Sequence, residues 1–288
     1  MLDLLSDILT RLSLKGSLYF RSNFSEPWGI RVPQFQNVAR FHYVNNGEAL
    51  MRVAGSKTGI SLSKGDLIRI PHGNEHIMSC HFSGPDDALP LEDVLIQSGF
   101  DGRGALVWGG GQIQRDTQII SGHFAFAPGS RHPLLDRLPP YIHLTGYGDT
   151  AGPWLEATLR VISEETGGAR LGGDLIALKM SEAIFAQAIR TYIEQSAADP
   201  KGISGFVDPY LSRALSAFHA APASQWTVAT LAAKAGLSRT GFAERFAKML
   251  GMTPMQYVTS WRIQIAREAL CNRGVSVADA AEMAGYQS

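Results

Sequence analysis

The sequence predicts an α+β protein: a β-barrel or sandwich first, an antiparallel helix pair in the middle, and an all-helical domain towards the C-terminal end. Three observations lead there. From about Trp28 to Leu144, short β-like pieces alternate with Gly, Asn and Pro turns. After Gly152-Pro153, apolar residues recur at three- and four-residue spacing, and near the end one helical phrase is written twice. With 288 residues the chain is long enough for two cores, since single cores stop growing near ~250 to 300 residues. Hydrophobic residues at 45% and charged residues at 18% exclude the disordered and fibrous classes.

At the N-terminus, Leu4, Leu5, Ile8, Leu9 and Leu12 recur at helical spacing without a basic lead, so a docking helix is expected rather than a signal peptide. No apolar run approaches the ~20 residues that span a bilayer. Two scattered cysteines, Cys80 and Cys271, form no disulfide framework. The expectation is a cytoplasmic protein without a membrane partner.

Strands are predicted at Ile30–Val32, Phe41–Val44, Ala49–Val53, Ile60–Leu62, Asp66–Ile70, Gln118–Ile120, Phe124–Phe126 and Tyr141–Leu144. Asn45-Asn-Gly47 is a hairpin signal, because both residue types tolerate positive φ. Pro85 to Gly104 is a longer excursion. Helices follow over Trp154–Glu165 and Asp174–Ile193 around a glycine-rich turn, then a linker at Ser196–Gly205. These readings divide the chain into 1–150 as a sensing barrel, 151–205 as a dimerisation and linker region, and 206–288 as the helical domain.

The repeated phrase carries the chemistry. In Thr227 to Gly236, Thr227 can cap a helix, Val228, Leu231, Ala232 and Ala235 share one face, and Gly236 supplies a left-handed stop. Ser238 can cap a second helix on which Phe242, Phe246 and Leu250 repeat every four residues. Two short helices with small alanines at the crossing describe a helix-turn-helix. A copy begins at Val277 with Ser276 as its cap. Between the copies, Thr253-Pro254 opens a long helix whose apolar stripe is Tyr257, Val258, Trp261, Ile265 and Ala269. Two such units at fixed separation suit two successive major-groove segments. From Ala223 onward seven Lys/Arg stand against four acids, a modest local surplus that a solvated surface explains as well as a nucleic-acid face does.

Leu237-Ser-Arg-x-x-Phe242, Gly251-Met-Thr-Pro254, Tyr257-x-x-x-Trp-Arg262 and Ala284-Gly-Tyr-Gln-Ser288 resemble the DNA-binding domain of AraC/XylS-type bacterial transcription regulators. That pattern places a second recognition helix after Ser288, so the second unit reads as incomplete and the chain as truncated at its C-terminal end. It also points recognition to the helix after Ser238. Its outward positions are Arg239, for phosphate, Thr240 and Ala243, for a thymine methyl, and Glu244, for a cytosine amino group. Arg245, Lys248, Arg262 and Arg267 are expected to contact phosphate or water, and Ser238 is counted with the DNA-binding residues.

Gly65-Asp-Leu-Ile-Arg-Ile-Pro-His-Gly-Asn-Glu-His76 resembles the second motif of cupin barrels, and with Phe41–Gly47 it resembles the cupin-type sensor domain of one branch of the same regulators. The resemblance implies a ligand pocket, for which Trp28, Phe41, His42, Tyr43, His76 and Trp108 are the candidates. His42 and His76 alone poorly support a metal shell; His72, Cys80, His81 and His123 enrich the neighbourhood, but no cofactor is expected. The resulting expectation is a DNA-binding transcription regulator, not an enzyme, with double-stranded DNA, a small-molecule effector and a second copy of itself as partners. Two alternatives stay open: a metal-dependent cupin enzyme with an appended helical domain, and a sensor and dimerisation form that binds DNA weakly.

Overall fold

The structure is a computed structural model and describes residues 4–11, 14–56, 58–80, 88–102, 104–110, 117–126, 132–167, 171–195 and 204–286. Its contacts form two compact units. One comprises Leu14–Pro128 with Pro139–Phe185; the other comprises Met1–Ser13, Gly129–Leu138 and Ala186–Ser288. The N-terminal helix and the segment before Pro139, which the sequence reading assigned to 1–150, thus group with the C-terminal helices.

The strands of the first unit are β1 (Leu14–Ser25), β2 (Gly29–Val32), β3 (Val38–Asn46), β4 (Glu48–Val53), β5 (Ile60–Ser63), β6 (Leu67–Ile70), β7 (His76–Ser79), β8 (Leu89–Pro90), β9 (Ala105–Gly109), β10 (Thr117–Phe126) and β11 (Ile142–Leu144). They make a six-stranded sheet of order β11-β6-β3-β10-β1-β9 and a five-stranded sheet of order β5-β4-β7-β2-β8. One core draws on both sheets, with Phe24, Val44 and Ile119 from the first and Ile30, Met51 and Leu62 from the second. All are buried.

Asn45-Asn46-Gly47 is a turn but not a hairpin. It passes the chain from β3, which pairs with β10 and β6, to β4, which pairs with β5 and β7. Turn chemistry specifies where the chain reverses; pairing depends on which sheet buries the apolar alternation of Ala49, Met51 and Val53. The longest strand, β1, has no simple alternation and a register shift between Leu14 and Gly16, yet it pairs along most of its length with β10 and, over Arg21–Ser25, in parallel with β9. The long excursion contains helix α2 (Leu91–Ser98), stopped by Gly99.

Helix α4 (Tyr147–Gly167) begins before Pro153 and carries that proline inside it. A proline this early removes one helical hydrogen bond. The first turn is anchored elsewhere: Tyr147 is buried and the Gly148 amide donates to Gly65 O at 2.8 Å. Helix α5 (Gly173–Gln195) lays Phe185 on the outer side of the six-stranded sheet, 4.9 Å from the Phe124 ring.

The second unit contains α1 (Leu4–Arg11), α3 (Pro133–Asp136), α6 (Ser204–Val207), α7 (Leu211–Ala220), α8 (Val228–Ala235), α9 (Arg239–Leu250), α10 (Pro254–Arg273) and α11 (Val277–Met283). Its centre is a buried polar chain. The Leu134 amide can only donate, so His132 Nδ1 accepts (3.0 Å) and His132 Nε2–H donates to Tyr257 Oη (3.0 Å). Tyr257 in turn donates to His219 Nε2 at 2.7 Å, and His219 Nδ1–H donates to Asp7 Oδ2 at 2.7 Å. Burial first, and His219 second, hold His132 well below its ordinary pKa; burial and then Asp7 push the Tyr257 hydroxyl well above its own.

Candidate nucleic-acid interface and barrel pocket

Each helix of the first helix-turn-helix unit is closed as its sequence predicts. Thr227 accepts from the Thr230 amide, and Gly236 and Leu237 return their amides to Ala233 O and Ala232 O. Ser238 accepts from the Gly241 amide at 3.2 Å and starts α9. Phe242, Phe246 and Leu250 are at most 1% exposed, and the Phe246 ring reaches Tyr257 on α10 at 5.8 Å. Burying that stripe turns the opposite one outward: Thr240, Glu244, Ala247 and Lys248 are exposed and Ala243 is half-buried, with Arg239 exposed at the first turn. Ala247 was missing from the expected set, although the phase of Thr240 and Ala243 leads to it.

Arg245 and Arg262 are placed differently. Arg245 leaves the outward stripe and grips Asp208 with Nε at 3.1 Å to each carboxylate oxygen and with Nη2 on Oδ2. Asp208 is buried and also accepts from the Tyr210 and Leu211 amides. Burial raises its pKa, but the Arg245 bond and the two amides outweigh this and hold it below the ordinary value. Arg262 donates to Pro222 O at 3.0 Å and to Ser224 O at 2.6 Å, and its guanidinium lies 5.9 Å from the Tyr286 ring centre. It ties the α7–α8 connection to α10 and to the end of the second unit.

The second phrase packs closely. Gly285, at φ 80, needs its missing Cβ for space as well as for conformation, since an added Cβ would lie 2.5 Å from Ala223 Cα. Ala280 and Ala284 are at most 1% exposed, while Met283 is 44% exposed. The 20 residues of α10 span about 30 Å at 1.5 Å per residue, close to one duplex turn.

In the barrel, alternation divides the expected pocket residues. Register pairs His42 with Ser121 and Arg40 with His123, and this face borders a pocket walled by Phe24, Ile30, Val32 and Leu106. Neighbours on a strand point to opposite faces. Phe41 therefore lies on the outer side, 5.5 Å from Phe124, and Tyr43 follows Phe41 by strand phase, its hydroxyl beside Gly148. Trp28 is core, stacked on Phe24 at 4.5 Å, and Trp108 packs partly buried against the same core. Arg40 and Phe24 line the pocket but were absent from the expected set; Arg40 was legible as the residue two before His42, whereas Phe24 sits on the strand that had no pattern.

His42 and His76 do meet. The Asn74 carbonyl only accepts, so His76 holds its proton on Nδ1 (3.0 Å) and leaves Nε2 as acceptor. His42 then donates from Nε2 to His76 Nε2 at 2.9 Å, and its Nδ1 accepts from the Ser121 hydroxyl at 2.8 Å. Both rings are neutral. Burial, then the charge of the partner ring and of Arg40, hold His42 well below 6.5; His76 is brought down to about 3 by burial, with the Asn74 bond opposing and Arg40 assisting. Among the described residues no group of three or more His, Cys, Asp or Glu is placed to hold a metal ion. Cys80 Sγ accepts from the Trp28 amide and donates to Trp28 O, His72 is exposed, and His81 lies outside the described residues.

A family model described as Cupin matches residues 3–194, and one described as Helix-turn-helix domain matches residues 231–288. An AraC-like transcription regulator of Streptomyces lividans is 29% identical over 291 residues, covering 100% of this chain and 91% of that protein. The HTH-type transcriptional regulator AlkR of Acinetobacter baylyi is 30% identical over 293 residues, covering 100% of this chain and 92% of its own. Among solved structures, unsaturated fatty acid bound ToxT of Vibrio cholerae aligns over 96% of this chain and 89% of its own at 8% identity, with a TM-score of 0.35. Family matches over both halves and a 30% identical relative spanning the whole chain lead to one conclusion: the chain belongs to the AraC-like transcription regulators, a cupin-type N-terminal domain followed by a helix-turn-helix domain.

Proposed function

We propose that this regulator reads duplex DNA through the outward stripe of α9 and senses a small molecule in its barrel. The observation that carries the DNA half is the exposure of Arg239, Thr240, Glu244, Ala247 and Lys248, with Ala243 half-buried among them, on a helix whose other side is sealed by Phe242 and Phe246. Arg239 and Lys248 serve phosphates; Thr240, Ala243, Ala247 and Glu244 face base edges. Arg245 and Arg262 hold the reading helix and its neighbours in place, which their internal partners support. The barrel half rests on a pocket where the polar Ser22, Arg40, His42, Ser121 and His123 meet apolar walls.

Trp154, Leu175 and Ile176 expose apolar surface on α4 and α5, which supports a homodimer paired through these helices. A cytoplasmic site and a non-enzymatic role complete the reading; no described helix is long and apolar enough to cross a membrane. Titration of duplex DNA at several salt concentrations tests it. Affinity should fall steeply as salt rises, because phosphate contacts release counterions. Affinity indifferent to salt would sink the DNA half, and a monomer by sedimentation whose mass is unaffected by Leu175→Glu would sink the pairing surface.

A further inference from the structure

Beside the reading helix, two guanidinium groups share one aromatic ring. Arg245 Cζ of α9 lies 5.1 Å from the centre of the Tyr210 ring and Arg213 Cζ of α7 lies 5.5 Å from it, both within cation–π reach. The two cations are not equivalent. Asp208 turns both carboxylate oxygens to Arg245 and also accepts from the Tyr210 and Leu211 amides, so its acceptor sites are filled. Arg245 is thereby balanced within a pair, whereas Arg213 stands on the exposed side of α7 beside a ring that is itself 38% exposed.

The position of Arg213 decides what it can meet. A Cβ built at Gly236 would lie 3.9 Å from Arg213 Nη1, so the guanidinium sits against the turn between α8 and α9. Two residues further on, Ser238 caps α9, and a reading helix enters the major groove by its N-terminal end. The turn in front of that end comes to the rim of the groove, where the phosphates lie. An arginine there presents a planar donor fork that matches two phosphate oxygens. Its contact with Tyr210 narrows the rotamer freedom that an exposed arginine otherwise loses on binding.

We propose that Arg213, steadied by Tyr210, is a phosphate clamp at the rim of the groove that α9 reads. This rests on the reading of α9 as the DNA-reading helix and adds a contact from α7, outside the helix-turn-helix pair. Tyr210 is a positioning residue that acts through Arg213. Because phosphates carry no sequence information, the clamp strengthens binding to every duplex alike.

The test is fluorescence-anisotropy titration of the full chain with two duplexes of unrelated sequence, each roughly three helical turns long, between about 50 and 200 mM salt. Arg213→Ala should weaken binding to both, roughly eightfold at ~0.1 M salt, and reduce the slope of log K on log salt by about 0.9, the effect of one lost phosphate contact. Its melting temperature should not change. Arg213→Lys should keep the slope and recover part of the affinity. Tyr210→Phe retains the ring and should bind as the unaltered protein does, whereas Tyr210→Leu should lose roughly two- to fivefold, the worth of an exposed cation–π contact, at an unchanged slope. Affinity and slope unaltered in Arg213→Ala would overturn the clamp. So would a weakening confined to one duplex, which marks a base contact, or one matched by a lower melting temperature, which marks a structural role. A slope lowered by Arg239→Ala but not by Arg213→Ala sinks this proposal alone. Binding by the unaltered protein that is absent or ignores salt sinks the reading of α9 on which the proposal stands.

Discussion

Acid should weaken the barrel through the His42–His76 pair well before any carboxylate titrates. His76 is 1% exposed, gives Nδ1–H to Asn74 O and accepts from His42 on Nε2, so a second proton on Nε2 would meet the His42 donor instead of an acceptor. Its folded pKa of about 3 lies below the ~6.5 of an unfolded histidine. The unfolded chain therefore takes up the proton first as pH falls. Stability is complete above pH ~6.5 and declines below it, levelling only near the folded value. At 1.36 kcal/mol per pH unit, the decline from about pH 6.5 to about pH 5 amounts to roughly 2 kcal/mol for the first proton the pair refuses. His42 acts in the same direction and, sharing the bond, does not count as an independent second loss.

The assay is urea denaturation at a series of pH values, with the barrel transition followed by pulse-labelled hydrogen exchange in peptides from β3 and β7. The double variant His42→Gln, His76→Gln retains donors and acceptors at both positions but cannot titrate. It should be less stable at neutral pH and should lose that ~2 kcal/mol of acid sensitivity. His132 and the remaining histidines are common to both proteins, so the difference reports the pair. Equal pH slopes in the two proteins would refute the neutral relay.

Tyr257→Phe keeps the ring but removes the hydroxyl between His132 and His219, leaving two buried nitrogens without partners; a loss of about 2–4 kcal/mol is expected by thermal or urea denaturation of the helical unit. Gly73→Ala puts a Cβ 2.3 Å from Phe35 O at φ 64, so a loss of more than about 1 kcal/mol and a melting shift of at least roughly 2–4 °C should follow. Arg239→Ala and Arg245→Ala should separate binding from folding. The first should weaken DNA binding across sequences and reduce the salt slope by about 1 with an unchanged melting point. The second should cost roughly 1–2 kcal/mol of stability, because buried Asp208 loses its cation while the guanidinium head is half exposed and screened.

Local signals carried the helical half. Caps at Thr227, Ser238, Thr253 and Ser276, the proline at 254 and the spacing of Phe242 and Phe246 are contained within one or two helical turns, and the helices begin and pack where those residues say. Caps and 3.6-residue periodicity depend only on near neighbours, so the chain alone contains them.

The barrel is different because strand partners are remote. The alternation of β4 announced a strand, but only the assembled sheets decided that Asn45-Asn46-Gly47 would change sheet instead of closing a hairpin. β1 has no pattern of its own and exists through β9 and β10. The same remoteness governed the candidate sites: His42 and His76, 34 residues apart, meet at 2.9 Å, Phe41 and Tyr43 fall on the far face by strand phase, and Arg245 finds Asp208 across 37 residues. By itself the sequence determined the helical reading unit, its caps, its buried stripe and the kind of protein it belongs to. The tertiary structure alone decided which polar groups face one another, and hence that His42 meets His76 and Arg245 meets Asp208: hydrogen bonds and charges act over a few ångströms in space, and no local pattern records who the neighbour is.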